Sequence, residues 1–180
     1  MVIGEREALA WVLRESRTAF PSTRRAEVDR LARNDQLFLV TTRGCFHNPG
    51  RDRTRVIGRA VVTTDVVELR PPIELAGRTF SRGCSLKITS LAPYLTGVDL
   101  ADLVPRLDAF PDKTHWSTRL RRPLVALSTD DAGLLRDALQ GVAFRPDRTI
   151  SEYLDRIRPV AGVDQSRGQP DLAAVTEGSA

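Results

Sequence analysis

Only two cysteines, Cys45 and Cys84, and two histidines, His47 and His115, occur in the 180 residues. Two thiols cannot form the disulfide framework of a small secreted scaffold, so a reducing, cytoplasmic setting is expected. No apolar run approaches the ~18–20 residues of a membrane-spanning helix. The opening MVIGEREALAWVL lacks the basic-then-apolar order of a secretory signal. A Walker loop, a Rossmann glycine triplet and a zincin histidine pair are all missing, which removes several common nucleotide- and metal-dependent chemistries. Lysine is nearly absent too: Lys87 and Lys113 stand against 25 arginines. No internal repeat is found.

What is present is a globular composition, 41% hydrophobic and 28% charged, in a length suited to one domain with a tail. The formal charge is +4. Coding bias in a GC-rich genome accounts for many arginines, but not for where they fall. Arg43 to Arg59 holds five arginines and one acid, Asp52, a net of +4. Asp112 to Arg122 holds Lys113, Arg119, Arg121 and Arg122 against Asp112, a net of +3. Two basic patches on an otherwise slightly acidic chain suit phosphate, for which the arginine fork is well shaped.

Apolar periodicity predicts a helix over 5–18, with Ala8, Leu9, Val12 and Leu13 on one face, ended by Phe20-Pro21. A short amphipathic turn follows over 24–33. Strands are expected near 36–42, 56–63 and 123–128, with weaker ones at 66–69 and 85–91. Gly58 inside the second strand suggests a bulge or a barrel corner. Residues 99–107 suit a short helix limited by Pro105. Ser128-Thr-Asp-Asp131 resembles a capping box for a helix over 129–140, stopped by Gly141. Thr149-Ile-Ser-Glu152 is a second capping signal, for a helix with Tyr153, Leu154 and Ile157 on one side, ended by Pro159. The absence of a β-α-β rhythm argues against a doubly wound sheet and for an α+β fold, a small mixed barrel with flanking helices. The expected organisation is a domain over 1–145, a C-terminal helix over 146–160 and a disordered tail over 161–180.

Chemistry-bearing groups are sparse. Cys45, His47, Cys84 and His115 form the one set that could hold a metal, but structural zinc favours closely spaced pairs such as C-x-x-C, and none exists here. A Cys–His nucleophile pair lacks any thiol-enzyme signature. Asp130 and Asp131 are explained by helix capping. No catalytic residue, metal or cofactor is therefore expected. Phe46 and Trp116 stand out because each lies inside a basic patch, where an aromatic face can stack a base while arginines hold phosphate. Trp116 as a core plug is the alternative.

Three stretches carry a family resemblance. Asn34-Asp-Gln-Leu-Phe-Leu-Val-Thr-Thr42, Val56-Ile-Gly-Arg-Ala-Val-Val62 and His115-Trp-Ser-Thr-Arg-Leu-Arg-Arg-Pro-Leu-Val-Ala-Leu-Ser128 resemble, in that order, segments of the EVE domain of the PUA-like superfamily, which also contains the YTH and ASCH domains. The resemblance covers about residues 1–141. It implies a PUA-like mixed barrel and a non-enzymatic reader of nucleic acid, DNA or RNA, whose modified base turns out of the strand into a barrel-face pocket. Carried onto this chain, Thr41 and Thr42 supply pocket hydroxyls, and Trp116 and Ser117 the closing aromatic segment. Arg43, Arg53, Arg55, Arg119 and Arg121, with Phe46 and His47, complete the expected contacts. The chain departs from the pattern at Met1–Gly4, where the first strand is clipped or begins too late, and at Val40, which replaces an aromatic. The competing readings are an ASCH-like hydrolase acting on nucleotides or RNA, and a protein-interaction module.

Overall fold

A computed structural model describes residues 1–157. The expected tail over 161–180, the end of the 146–160 helix and its stop at Pro159 lie outside the described residues.

The chain enters as β1 (Val2–Ile3), parallel to β3 (Gln36–Thr41), with Val2 opposite Val40 and Ile3 opposite Thr41. Burial of the Met1 amino group, which donates to Phe38 O at 2.8 Å, pushes it down to about 5. α1 (Arg6–Glu15) then buries Leu9, Ala10, Val12 and Leu13, the face read from periodicity. It ends earlier than the expected residue 18. Ser16 turns left-handed at φ 49°, and Arg17–Phe20 forms β2. Thr18 and Phe20 alternate with half-buried neighbours, and the segment pairs with β6 (Arg78–Leu91). A β-branched and an aromatic residue at alternate positions suit a pleated surface better than a helix's last turn.

α2 is one short turn, Ala26–Asp29, that buries Val28. β3 pairs antiparallel with β4 (Arg55–Val62), and β4 with β6. The order is β1-β3-β4-β6-β2, with β5 (Val67–Leu75) added on β6 and β7 (Val98–Asp99) on β4. This mixed seven-stranded sheet curls into a half-barrel flanked by helices.

Three expectations about strands are corrected. Residues 123–128 form no strand; the segment is tied to the sheet edge where Val2 N donates to Pro123 O at 2.8 Å. β5 continues through Pro71-Pro72 because it pairs on one side only and its register shifts between Glu68 and Ile73. Prolines are tolerated at such an edge irregularity. β6 starts at Arg78 rather than near 85, across a two-residue hairpin at Ala76 (φ 48°) and Gly77 (φ 70°). Two positive φ angles are what a type I′ turn requires.

The helices follow the capping chemistry in part. Asp99 accepts from Ala101 N (3.1 Å) and opens α3 (Leu100–Leu103), which runs into a 3-10 turn over Val104–Arg106. α4 (Thr129–Leu139) is capped by Ser128 Oγ accepting from Asp131 N at 3.0 Å, as the sequence indicated. α5 (Pro146–Arg156) starts three residues before the Thr149 signal, because proline suits the first helical turn. Thr149 is buried and its hydroxyl turns back to Arg145 O (3.2 Å) instead of capping. Among the described residues, no helix is long and apolar enough to cross a membrane.

β3 is apolar without alternation because both its faces are covered. Leu37 and Leu39 join α1, Phe20 and Tyr153 in one cluster; Phe38 and Val40 join Leu100, Leu107, Phe110, Leu135 and Leu139 in another. At Gly58 the ladder slips twice, against β3 near Leu39 and against β6 near Ser90. A Cβ at Gly58 would collide with Ser90 O. The bulge anticipated from Gly58 is therefore present, and it requires glycine. Gly58→Ala should destabilise the fold by about 1–3 kcal/mol, the cost of overpacking. Gly133→Ala, in α4 with open space around it, should stabilise by about 0.5–1 kcal/mol. Urea midpoints of the two variants should move in opposite directions.

Candidate functional site

The 42–54 loop joins β3 to β4 and is folded around one carboxylate. Asp52 Oδ2 accepts from Phe46 N (3.3 Å) and Asn48 N (3.1 Å). This turns Phe46 inward, where its ring meets Tyr94 edge-on at 5.3 Å, and Tyr94 meets Tyr153 at 5.2 Å. Phe46 is thus half-buried against the core rather than offered to a base. His47, held at φ 61°, places Nε2 3.1 Å from Glu5 Oε2 and 3.8 Å from Glu7 Oε2. Desolvation pushes the Glu7 carboxyl up, but the hydrogen bond from Arg6 Nε and the charges of Arg6 and His47 outweigh it and hold the group below its ordinary value. His47 faces carboxylates, not an open basic surface.

The arginines of the loop face outward. Arg43, Arg51 and Arg53 line an open cleft of roughly 490 Å³ together with Trp116. The fold thereby brings Trp116, some sixty residues away in sequence, beside the arginines of the first basic patch, while the cations of its own patch lie elsewhere. Trp116 opens a 3-10 turn (Trp116–Arg121) and is anchored edge-on against Phe110 at 5.9 Å. Arg55 belongs to β4, where it pairs with Thr41 and Asp99, and does not line this cleft. Ser117 is exposed beside Trp116, and Arg119 lines a different trough, next to residues 124–127.

A second concavity, of roughly 320 Å³, opens where the end of β1, α1, β2 and the β5–β6 hairpin meet. Trp11 and Phe80 provide aromatic walls, and Thr42 adds a hydroxyl-bearing residue. Arg25, Arg78, Arg121 and Arg122 also line it, against a single acid, Glu5. Arg78 lies over the Phe80 ring at 5.7 Å. Of the expected pocket residues only Thr42 and Arg121 are here. Thr41 is fully buried in β3 with its hydroxyl unpartnered, and Trp116 lies on the other concavity. Trp11, Phe80, Arg25 and Arg78 were missed from sequence, and Arg122 was read only as part of the second basic patch. The one available signal was that Trp11 falls outside the 8-9-12-13 face read from periodicity.

The groups that suggested other chemistry have structural occupations. Cys45 and Cys84 are buried. Burial, reinforced by Glu5, Asp52 and Glu7, pushes the Cys45 thiol far up; burial pushes Cys84 up to about 11 despite Arg17. His115 Nδ1 sits on Asp112 Oδ2 at 3.1 Å. Both histidines thus face carboxylates, and the four cysteines and histidines do not assemble into a ligand set. Among the described residues, the one trio of ligand-type groups within mutual reach is Glu5, Glu7 and His47. Asp131 does more than favour a helix start: its buried carboxylate accepts from Asp108 N (2.8 Å) and Ala109 N (2.9 Å), pinning the loop beneath Phe110.

No family model matches the chain, and no curated protein sequence does either.

Two measurements check this placement. Neither thiol should react with an alkylating agent at neutral pH in the folded protein, while both should react in denaturant. Because the folded state holds the Cys84 proton above its ordinary 9.0, this contribution to stability is complete below pH 9 and is lost as pH rises towards 11. Asp131→Ala strands two amides and should lower stability by about 1–3 kcal/mol for each, read as a fall in the urea midpoint.

Proposed function

We propose that the protein is a non-enzymatic reader of modified nucleic acid, which receives a single base in the cavity of Trp11 and Phe80. The observation that carries this reading is the composition of that cavity: three aromatic residues (Trp11, Phe20 and Phe80), two threonines and four arginines around one acid. Its volume is at the small end of the ~300–1,000 Å³ typical of ligand sites, which suits one planar base better than a larger metabolite. Aromatic faces contribute stacking that offsets the loss of base–base stacking when the nucleotide turns out. Arg25, Arg78, Arg121 and Arg122 are placed to meet the phosphates beside it, and guanidinium forks bind these in bidentate fashion.

The resemblance to the EVE domain of the PUA-like superfamily supports the same reading. A curled mixed sheet with flanking helices is the architecture that resemblance implies. The base contacts differ from those expected on sequence grounds, with Trp11 and Phe80 standing where Trp116 was anticipated. The one acid of the cavity wall, Glu5, has His47 Nε2 at 3.1 Å, and the cysteines and Asp131 lie outside the wall.

Filter binding with methylated and plain single-stranded oligonucleotides tests the proposal. The methylated strand should bind more tightly, and no nucleoside should be turned over. A stacked base contributes about 1–3 kcal/mol, so Phe80→Ala should weaken binding of the methylated strand roughly 5- to 150-fold and shrink the preference. Replacing Arg78 and Arg121 by glutamine should flatten the log K against log salt slope by about 1.4, or 0.7 for each single-strand phosphate no longer neutralised. Equal binding of both strands with Phe80→Ala inert, or turnover of a modified nucleoside, would overturn the reading.

A further inference from the structure

The Trp116 cleft shares no lining residue with the Trp11–Phe80 cavity. We propose that it is a second nucleotide subsite, which stacks an unmodified base of a single strand adjacent to the base in the cavity. This rests on the reading above, and it assigns Trp116 a role separate from recognition of the modification.

The two concavities adjoin along the backbone in two places. Thr42 lines the cavity and the next residue, Arg43, lines the cleft. Trp116 begins the 3-10 turn whose other end, Leu120 and Arg121, lines the cavity. At about 2 Å of rise per residue, that turn separates Trp116 from Leu120 by about 8 Å. A nucleotide step is longer than its stacked rise of about 3.4 Å once one base has turned out of the stack, so adjacent nucleotides can cover this distance. One strand can therefore engage both concavities.

The charge of the cleft points to phosphate. Its two acids have internal partners: Asp52 accepts two loop amides, and Asp99 caps α3. Its three arginines are exposed. Arg43 uses only Nε, on Pro49 O, and Arg53 approaches Asp99 no closer than 3.7 Å. Arg51 has no ion-pair partner among the described residues. A cluster of like charge around a tryptophan, with the acids occupied by backbone amides, is suited to an anion that carries an aromatic ring.

Trp116 is also held in the manner of a stacking platform. Phe110 meets it edge-on and the second core cluster supports it, yet the residue stays half-buried beside the cleft. Stacking on its ring requires an unpaired base, so the ligand is a single strand rather than a duplex.

The test uses plain oligothymidylate and the full chain. In a Trp11→Phe background, Trp116 is the sole tryptophan, and its fluorescence should be quenched by oligothymidylate. Trp116→Ala should weaken oligothymidylate binding roughly 5- to 150-fold, with an unchanged salt slope. Trp116→Leu, which keeps an apolar contact to Phe110, should show the same loss at an unchanged melting temperature. Arg51 and Arg53 replaced together by glutamine should flatten the slope by about 1.4. Both tryptophan variants should keep the ratio of methylated to plain affinity.

Unchanged oligothymidylate affinity in folded Trp116→Leu overturns the proposal. An equal loss on blunt duplex, or collapse of the methylated-to-plain ratio, overturns it as well. The reading of the cavity fails separately, through wild-type indifference to methylation, and that result would leave the Trp116 measurements on plain strand standing.

Discussion

The close approach of β4 to β6 at Gly58 shapes the rest of the molecule. With no side chain there, the Ser90 carbonyl of β6 lies against the β4 backbone, and the ladder slips on both flanks. Bulges bend a strand and increase its twist. β6 stays paired with β4 as far as Leu86, where β4 ends, and its Arg82–Ser85 stretch then pairs with β2, with β5 on its other side. That change of partner brings the hairpin bearing Arg78 and Phe80 over the end of α1, and the cavity is the space between them.

The same slip explains how one strand serves two cores. Val56 contributes to the cluster beneath α4, whereas Ile57, Ala60 and Val62 contribute to the cluster beneath α1. An undisturbed strand would keep one parity throughout, because successive side chains alternate between faces. The extra residue at the bulge shifts that parity, so that Val56 faces one cluster while Ala60 and Val62, an even number of positions on, face the other. The helices can then pack on both faces of a sheet that remains continuous.

Concentrated positive charge on a loop is tolerated because the nearby acids act locally, as hydrogen-bond acceptors. Asp52 organises the 42–54 turn, Asp99 opens α3, Asp112 holds the amides of Thr114 and His115, and Asp131 pins the 107–110 segment. Each carboxylate satisfies backbone donors that would otherwise lack partners. The arginines between them are left facing solvent. The net charge of a sequence window thus understates how much positive charge the surface presents.

Local chemistry made much of the framework legible in the sequence. The α1 face, the Ser128 cap of α4, the doubly covered β3 and the glycine-dependent bulge at Gly58 all follow from residue type and spacing within a few positions. The two basic patches were visible for the same reason, since charge is a property of composition. What only the tertiary structure decided depends on partners far away in the chain. Arg17–Phe20 is a strand because β6 is there to pair with it, and residues 123–128 are not, because β1 supplies one hydrogen bond rather than a ladder. Phe46 faced inward once Asp52 folded its loop. Trp11 and Phe80, separated by nearly seventy residues and belonging to neither patch, meet only through the curl of the sheet. Secondary structure and charge arise from neighbours in sequence, whereas a cavity arises from surfaces that folding brings together.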